Sequence, residues 1–285
     1  MKNQGLVERI VPGTDLFQAG FAIHISRYEF ARKIISSHGI KGKLLDVGCG
    51  TGYGTSFLCD YLPLKVTGID NNDGAIKFAK KNYARKRLMF KKMDAQELKF
   101  PKNFFDSVIS LELIEHLEKP EKLLRGVRKI LRKNGVFVVS TPNKKAELGK
   151  SKKQKNPYHA FEFDQEEFEK ILSHHFSEVT LFGQYFSNSF IERRRIFDLV
   201  SQLAEERNSV YLNLLKGIIP KKIRMLIPFT KRVSLAKRIY KEGKKKYAAI
   251  NEYYQKMPLH PSVNDFVVDR FNLKRAQVFI AICRL

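Results

Sequence analysis

From Lys43 onward, short apolar runs alternate with longer segments whose apolar residues recur every three or four positions. The short runs predict strands at 43–47, 65–69, 88–92, 106–111 and 135–140, and the segments between them predict helices at 53–60, 73–84 and 120–131. Gly135-Val136-Phe137-Val138-Val139-Ser140 reads as a central strand, apolar on both faces. Strand–helix alternation of this regularity predicts an α/β fold, a Rossmann-like parallel sheet with helices on both faces. Asp164-Gln165-Glu166-Glu167 supplies a cap and an acidic first turn for a helix reaching Ser173. A strand follows at 178–182, and Gln277 to Cys283 is the last one. Upstream, apolar positions 23, 30, 31, 34 and 35 predict a helix that caps the ligand site from the N-terminal side. The chain thus divides into an N-terminal cap helix (1–42), a core (43–185), a basic helical insert or lid (186–262) and the last core strands (263–285).

The first strand runs into Leu44-Leu45-Asp46-Val47-Gly48-Cys49-Gly50-Thr51-Gly52-Tyr53-Gly54. Glycines alternating at 48, 50, 52 and 54 make a turn with little side chain, where a ligand can approach the backbone. The N–H groups of the following helix face the same space. A dinucleotide fingerprint needs G-x-G-x-x-G, and that register puts Tyr53 or Thr55 where the third glycine belongs. Asp46 would repel a pyrophosphate and attract a cation. Asp70 ends the next apolar run, twenty residues after Gly50, where an acid can accept both ribose hydroxyls. A nucleoside with a positive charge and no phosphate is S-adenosylmethionine (SAM).

On these residues the chain resembles the class I SAM-dependent methyltransferases. Asp46, Gly48 and Gly50 match the family's first motif, with Cys49 and Gly52 in the same loop. Asp70, followed by Asn71, matches the ribose-binding acid, and Asp94-Ala95 matches the segment flanking the adenine. The resemblance covers roughly residues 7–183 and resumes at the last strand. His24, Arg27 and Tyr28 resemble a pattern in methyltransferases associated with surface-glycan biosynthesis, which implies contact with cofactor or substrate. The alternative is that the three are packing and helix-surface residues.

The fourth strand ends at Leu111, beside the expected methyl group, and Glu112, Glu115 and His116 follow. If the segment is helical, positions i, i+3 and i+4 share one face. The Glu-x-x-Glu-His pattern resembles a metal motif in ubiquinone-pathway O-methyltransferases and small-RNA 2′-O-methyltransferases. That resemblance implies a divalent metal such as Mg at Glu112, Glu115, His116 and His159. Asn156-Pro157-Tyr158-His159 fits the glycan-associated pattern better than the RNA one. Without metal, His116 or His159 is the candidate general base, with Glu112 beside them. A solvated helix start is the plain alternative for the two acids.

Composition adds a partner question. Across 285 residues there are 53 basic and 29 acidic side chains, a formal charge of +24. Three cysteines without metal spacing, no apolar run near ~20 residues and an opening Met1-Lys2-Asn3-Gln4-Gly5 without signal-peptide character imply a reduced, cytoplasmic protein. Lys144 to Lys155 reads as a basic, lid-like loop. Residues 215–246 hold twelve Lys or Arg and one acid, Glu242, interleaved with Ile, Leu and Met. That mixture predicts an interfacial segment on an anionic membrane, at its inner face. An RNA-backbone groove is the second reading, though only Phe229 and Tyr240 are available there for stacking. A basic lid packed on the core is the third. The resulting expectation is an O-methyltransferase acting on a glycan, glycolipid or related small molecule. The alternatives are an RNA methyltransferase using the Glu-Glu-His metal site and a non-catalytic SAM-fold binding protein.

Overall fold

The computed structural model describes residues 15–146, 158–188, 266–271, 273 and 276–285. Helix α1 (Asp15–Ser37) precedes strand β1 (Lys43–Val47), then α2 (Tyr53–Tyr61), β2 (Lys65–Asp70), α3 (Asp73–Tyr83), β3 (Leu88–Lys92) and β4 (Phe105–Leu111). After a single 3-10 turn at Ile114–His116 come α4 (Pro120–Ile130), β5 (Leu131–Pro142), α5 (Gln165–Ser173), β6 (Glu178–Phe186), β7 (Phe266–Asp269) and β8 (Val278–Arg284). The strands form one sheet in the order β3-β2-β1-β4-β5-β8-β6-β7. Strands β1 to β5 run parallel, β8 lies antiparallel between β5 and β6, and β7 is antiparallel to β6. This is the expected Rossmann-like α/β fold.

Both faces of the sheet are covered, and its central strands β1, β4 and β8 are buried at nearly every position. Leu45, Val47, Phe137 and Val139 pack under α4 and α5, against Leu123, Leu124, Val127, Phe168 and Leu172. Their neighbours Leu44, Val136 and Val138 point the other way, to Ile25, Tyr28, Ala31 and Ile35 of α1 and to Leu58 and Ile76. The period-two alternation thus builds two cores. Helix ends follow local chemistry. The Asn72 side chain accepts from Ala75 N to cap α3, and Asp164 and Glu167 form a reciprocal capping box at α5.

Two expectations need correction. Strand β5 starts at Leu131, directly after α4, because Leu131 pairs with Phe105 ahead of a register shift. Strand β7 falls within the last core strands expected at 263–285, where only the strand from Gln277 to Cys283 had been given bounds. The turn after β4 is not helical from Glu112. Glu112 has φ 53°, only Ile114–His116 makes a 3-10 turn, and Leu117 leaves extended. The basic insert at 186–262 falls outside the described residues apart from its first three, as does most of the 144–155 loop.

Strand order reverses between β1 and β4, so the carboxyl ends of β1, β2 and β4 open on one crevice. Asp46, Asp70 and Leu111 all stand at or near those ends.

Candidate active site

Gly48, Gly50 and Gly52 have φ of 78°, 52° and 86°, the left-handed region that glycine enters without strain. Their surroundings differ. A Cβ at Gly48 would press on Leu113, one at Gly52 on Ala79 and Phe90, and one at Gly54 on the Tyr28 ring. A Cβ at Gly50 would meet nothing within 4 Å. Packing therefore explains three of the glycines, while Gly50 borders open space above the loop. Gly52 ends that loop as the N-cap of α2.

Asp46 is fully buried. Its Oδ2 accepts from the Thr55 hydroxyl at 2.6 Å and the Tyr28 hydroxyl at 3.2 Å, whereas Oδ1 is enclosed without a partner. Burial raises its pKa to about 7, against the two hydroxyl hydrogen bonds, with the charge of Asp70 adding to the rise. Asp70 joins β2 to the glycine loop. Its Oδ2 accepts from Gly50 N at 3.0 Å and its Oδ1 from Asn72 N at 2.8 Å. Asn71 beside it is exposed; Asn72, not Asn71, caps α3. Asp94 is exposed and accepts from Gln96 N at 2.8 Å, holding the turn that buries Ala95. These residues fit SAM: an open glycine, an acid at the end of β2 and a buried acid with an unpaired oxygen.

Beyond buried Leu111, the expected acid–imidazole cluster divides in two. Glu112 turns away from Glu115 and His116. Its Oε1 accepts from the Ser140 hydroxyl at 3.0 Å, and its Oε2 lies 3.2 Å from Arg27 Nη1. Glu115, His116 and His159 do come together, with one candidate ligand atom from each within 4.8 Å of the others. The two imidazole centroids stand 4.9 Å apart. His116 Nδ1 lies 3.0 Å from the Tyr158 carbonyl, which only accepts, so the neutral ring carries its proton on Nδ1. Its Nε2 then presents a lone pair, 3.9 Å from Glu115 Oε1. Glu115 is buried, and its Oε2 accepts from the Thr141 hydroxyl at 3.2 Å. Desolvation, then the neighbouring Glu112 charge, pushes its carboxyl well above the usual range.

The expected Mg site does not fit this arrangement. Mg takes oxygen ligands in octahedral geometry, and here two imidazoles accompany one carboxyl that burial favours as the neutral acid. Glu112, which would add oxygen, is already held by Arg27 and Ser140.

Helix α1 contributes more than cover. Arg27 is only 2% exposed, and its Nη1 also donates to Gln184 Oε1 at 3.4 Å. Gln184 Nε2 returns to Ser26 Oγ at 2.6 Å. His24, one turn earlier, is pushed well below its usual range by burial and by Arg27, which keeps it neutral. Ile25, Ser26, Glu29, Phe30, Arg32 and Lys33 of α1, with Phe57, Tyr61, Phe266 and Val268, line a cavity of about 790 Å³ that includes no glycine-loop residue. Sequence reasoning passed over Thr55, Ser140, Thr141 and Gln184. The hydroxyls at 140–141, ending an otherwise apolar strand, were a usable signal; a lone Gln in β6 was not.

Residues 45–139, which hold these motifs, match the methyltransferase domain family. They form a methyltransferase domain of the class I, SAM-dependent kind. A "Probable S-adenosylmethionine-dependent methyltransferase" of Mycobacterium tuberculosis is 27% identical over 165 residues, 58% of this chain and 58% of that protein. A fatty-acid O-methyltransferase of Mycolicibacterium smegmatis is 36% identical over 101 residues, 35% of this chain and 37% of that protein. The sterol 24-C-methyltransferase of Aspergillus fumigatus is 31% identical over 145 residues, 44% of this chain and 38% of that protein. This chain thus spans well under two thirds of the length of each of these relatives. Among solved structures, a Pyrococcus horikoshii protein aligns with TM-score 0.48 at 23% identity, over 61% of this chain and 89% of that one.

Proposed function

We propose that the protein transfers a methyl group from SAM to a hydroxyl of a glycan, glycolipid or related small molecule. The observation that carries the oxygen acceptor is the orientation of His116. Its Nδ1 proton is committed to the Tyr158 carbonyl, which leaves the Nε2 lone pair available beside Glu115, just past the end of β4. A hydroxyl needs a base as its oxygen attacks, whereas a free amine needs none. The name of the fatty-acid O-methyltransferase relative supports oxygen as acceptor, and the lipid substrates named for that relative and the sterol enzyme support an amphipathic one.

When bound, SAM supplies an electrophilic methyl group on a sulfonium. Gly50 would leave room for it, and Asp70 would be the acid for its ribose hydroxyls. Asp46 places negative charge beneath the loop. His116 Nε2 takes the acceptor's proton as the O–C bond forms and the C–S bond breaks, so positive charge moves from sulfur to imidazole. Glu115 Oε1, 3.9 Å from Nε2, is the carboxyl oxygen beside that charge. Alignment of donor and acceptor contributes about 7–11 kcal/mol, and the base contributes about 10²–10⁴-fold. We further infer that residues 215–246 hold the protein at an anionic membrane surface that presents the acceptor.

Incubation with labelled SAM and fractionated cell extract, with and without chelator, tests this reading. Label in the glycan or lipid fraction, unaffected by chelator, is the expected result. Label confined to RNA and abolished by chelator would replace the acceptor with RNA. SAM binding without transfer to any fraction would mark a non-catalytic binding protein.

A further inference from the structure

Two adjacent residues of α1 grip the two acids that flank the crevice. Tyr28 donates its hydroxyl to Asp46 at the end of β1, while Arg27 pairs with Glu112 just past the end of β4. Glu112 is one of two non-glycine residues with positive φ among those described. Such a conformation persists where its surroundings hold it. Here Ser140 holds the Glu112 backbone N–H and carboxylate, and Arg27 holds the remaining oxygen. The same residue begins the turn that carries Glu115 and His116.

We propose that Arg27 and Tyr28 are positioning residues that couple the cofactor loop to the acceptor-side turn through α1. The coupling rests on the SAM site proposed above and runs through Asp46. A cationic ligand over the loop favours the ionised form of that acid. A carboxylate accepts the Tyr28 hydrogen bond more strongly than a neutral acid does. Tyr28 also fills the space beside Gly54, so its ring and hydroxyl seat this turn of the helix on α2. With Tyr28 seated, the next residue back is held against Glu112, and Gln184 fixes the Arg27 guanidinium from β6. Ligand arriving at β1 therefore tightens the turn after β4.

Calorimetry with S-adenosylhomocysteine, together with amide exchange of the full chain, tests the coupling. In the wild type, ligand should slow exchange in both the α1 segment 23–35 and the turn 112–117. Tyr28→Phe should weaken binding about 3–10-fold, the loss expected for one hydrogen bond. Arg27→Met should bind within about 3-fold of wild type yet lose the ligand-induced protection of 112–117, and Arg27→Lys should restore part of it. Because Arg27→Met alone leaves the half-buried Glu112 carboxylate without its ion-pair partner, Arg27→Met with Glu112→Gln removes both charges and should show the same loss of linkage. Full protection of 112–117 in the double variant, or unchanged affinity in Tyr28→Phe, overturns the coupling while leaving the SAM reading intact. A wild-type protein that does not bind S-adenosylhomocysteine overturns both.

Discussion

Asp46 shows how a single acid can cost stability and serve binding. With its pKa near 7 in the folded chain and in the usual carboxylate range when unfolded, the folded state holds the extra proton between about pH 4 and 7. Stability from this group therefore falls as pH rises through that window, by about 4 kcal/mol at most. Asp46→Asn should flatten the pH dependence of thermal unfolding between pH 5 and 8 relative to wild type. SAM affinity, by contrast, should rise with pH through about 7 in the wild type and become weak and flat in the variant. Identical pH slopes in melting and binding would remove Asp46 from this role. The glycines separate in the same way. Gly50→Ala meets no atom within 4 Å, so it should cost only the backbone strain of about 1–2 kcal/mol while blocking ligand approach. Gly52→Ala would set a methyl 2.7 Å from Ala79 Cβ and should destabilise the fold more than Gly50→Ala does. Melting temperatures and SAM affinity for the pair decide it. The sequence showed that these glycines matter, because their spacing is visible. It could not show which one faces ligand, because that depends on Phe90, Ala79, Leu113 and Tyr28 arriving from elsewhere in the chain.

Among the elements, legibility followed the range of the forces involved. Strand β1, helix α2 and the capped α5 were readable to within a residue, because period, glycine punctuation and an Asp-x-x-Glu cap are local signals. The turn after β4 misled for the opposite reason. Its i, i+3, i+4 spacing is helical on paper, yet Ser140 and Arg27, from β5 and α1, hold Glu112 at positive φ and break the helix before it starts. Strand β7 pairs with β6, far away in sequence, so no local pattern gave it bounds of its own within the last core strands at 263–285. The division of the acidic cluster has a functional consequence. If the imidazole held by Tyr158 is the base, His116→Gln should lower methyl transfer about 10²–10⁴-fold with SAM affinity unchanged. Chelator should leave the wild-type rate unaffected. A chelator-sensitive wild type would restore the metal reading at Glu115, His116 and His159.

At the scale of the whole molecule the dominant fact is charge: +24 over 285 residues, with twelve basic side chains between 215 and 246. Among the described residues no helix is long and apolar enough to cross a membrane. An attachment to lipid through the basic segment would draw on those twelve charges. Each Lys or Arg near an anionic surface contributes about 1 kcal/mol, and the attraction reaches about 10 Å at 0.1 M salt. The protein should therefore sediment with vesicles containing phosphatidylserine or phosphatidylglycerol at low ionic strength, and not with neutral phosphatidylcholine vesicles. Binding should be lost as salt approaches ~0.5 M. Replacing Lys241, Lys244, Lys245 and Lys246 by Gln removes four of the twelve charges and should weaken vesicle binding more than tenfold while SAM affinity stays the same. Equal binding to neutral and anionic vesicles would make the apolar Ile and Leu residues the source of attachment. Failure to bind anionic vesicles at low salt would remove the membrane from the account, leaving the charge to be explained by a polyanionic acceptor.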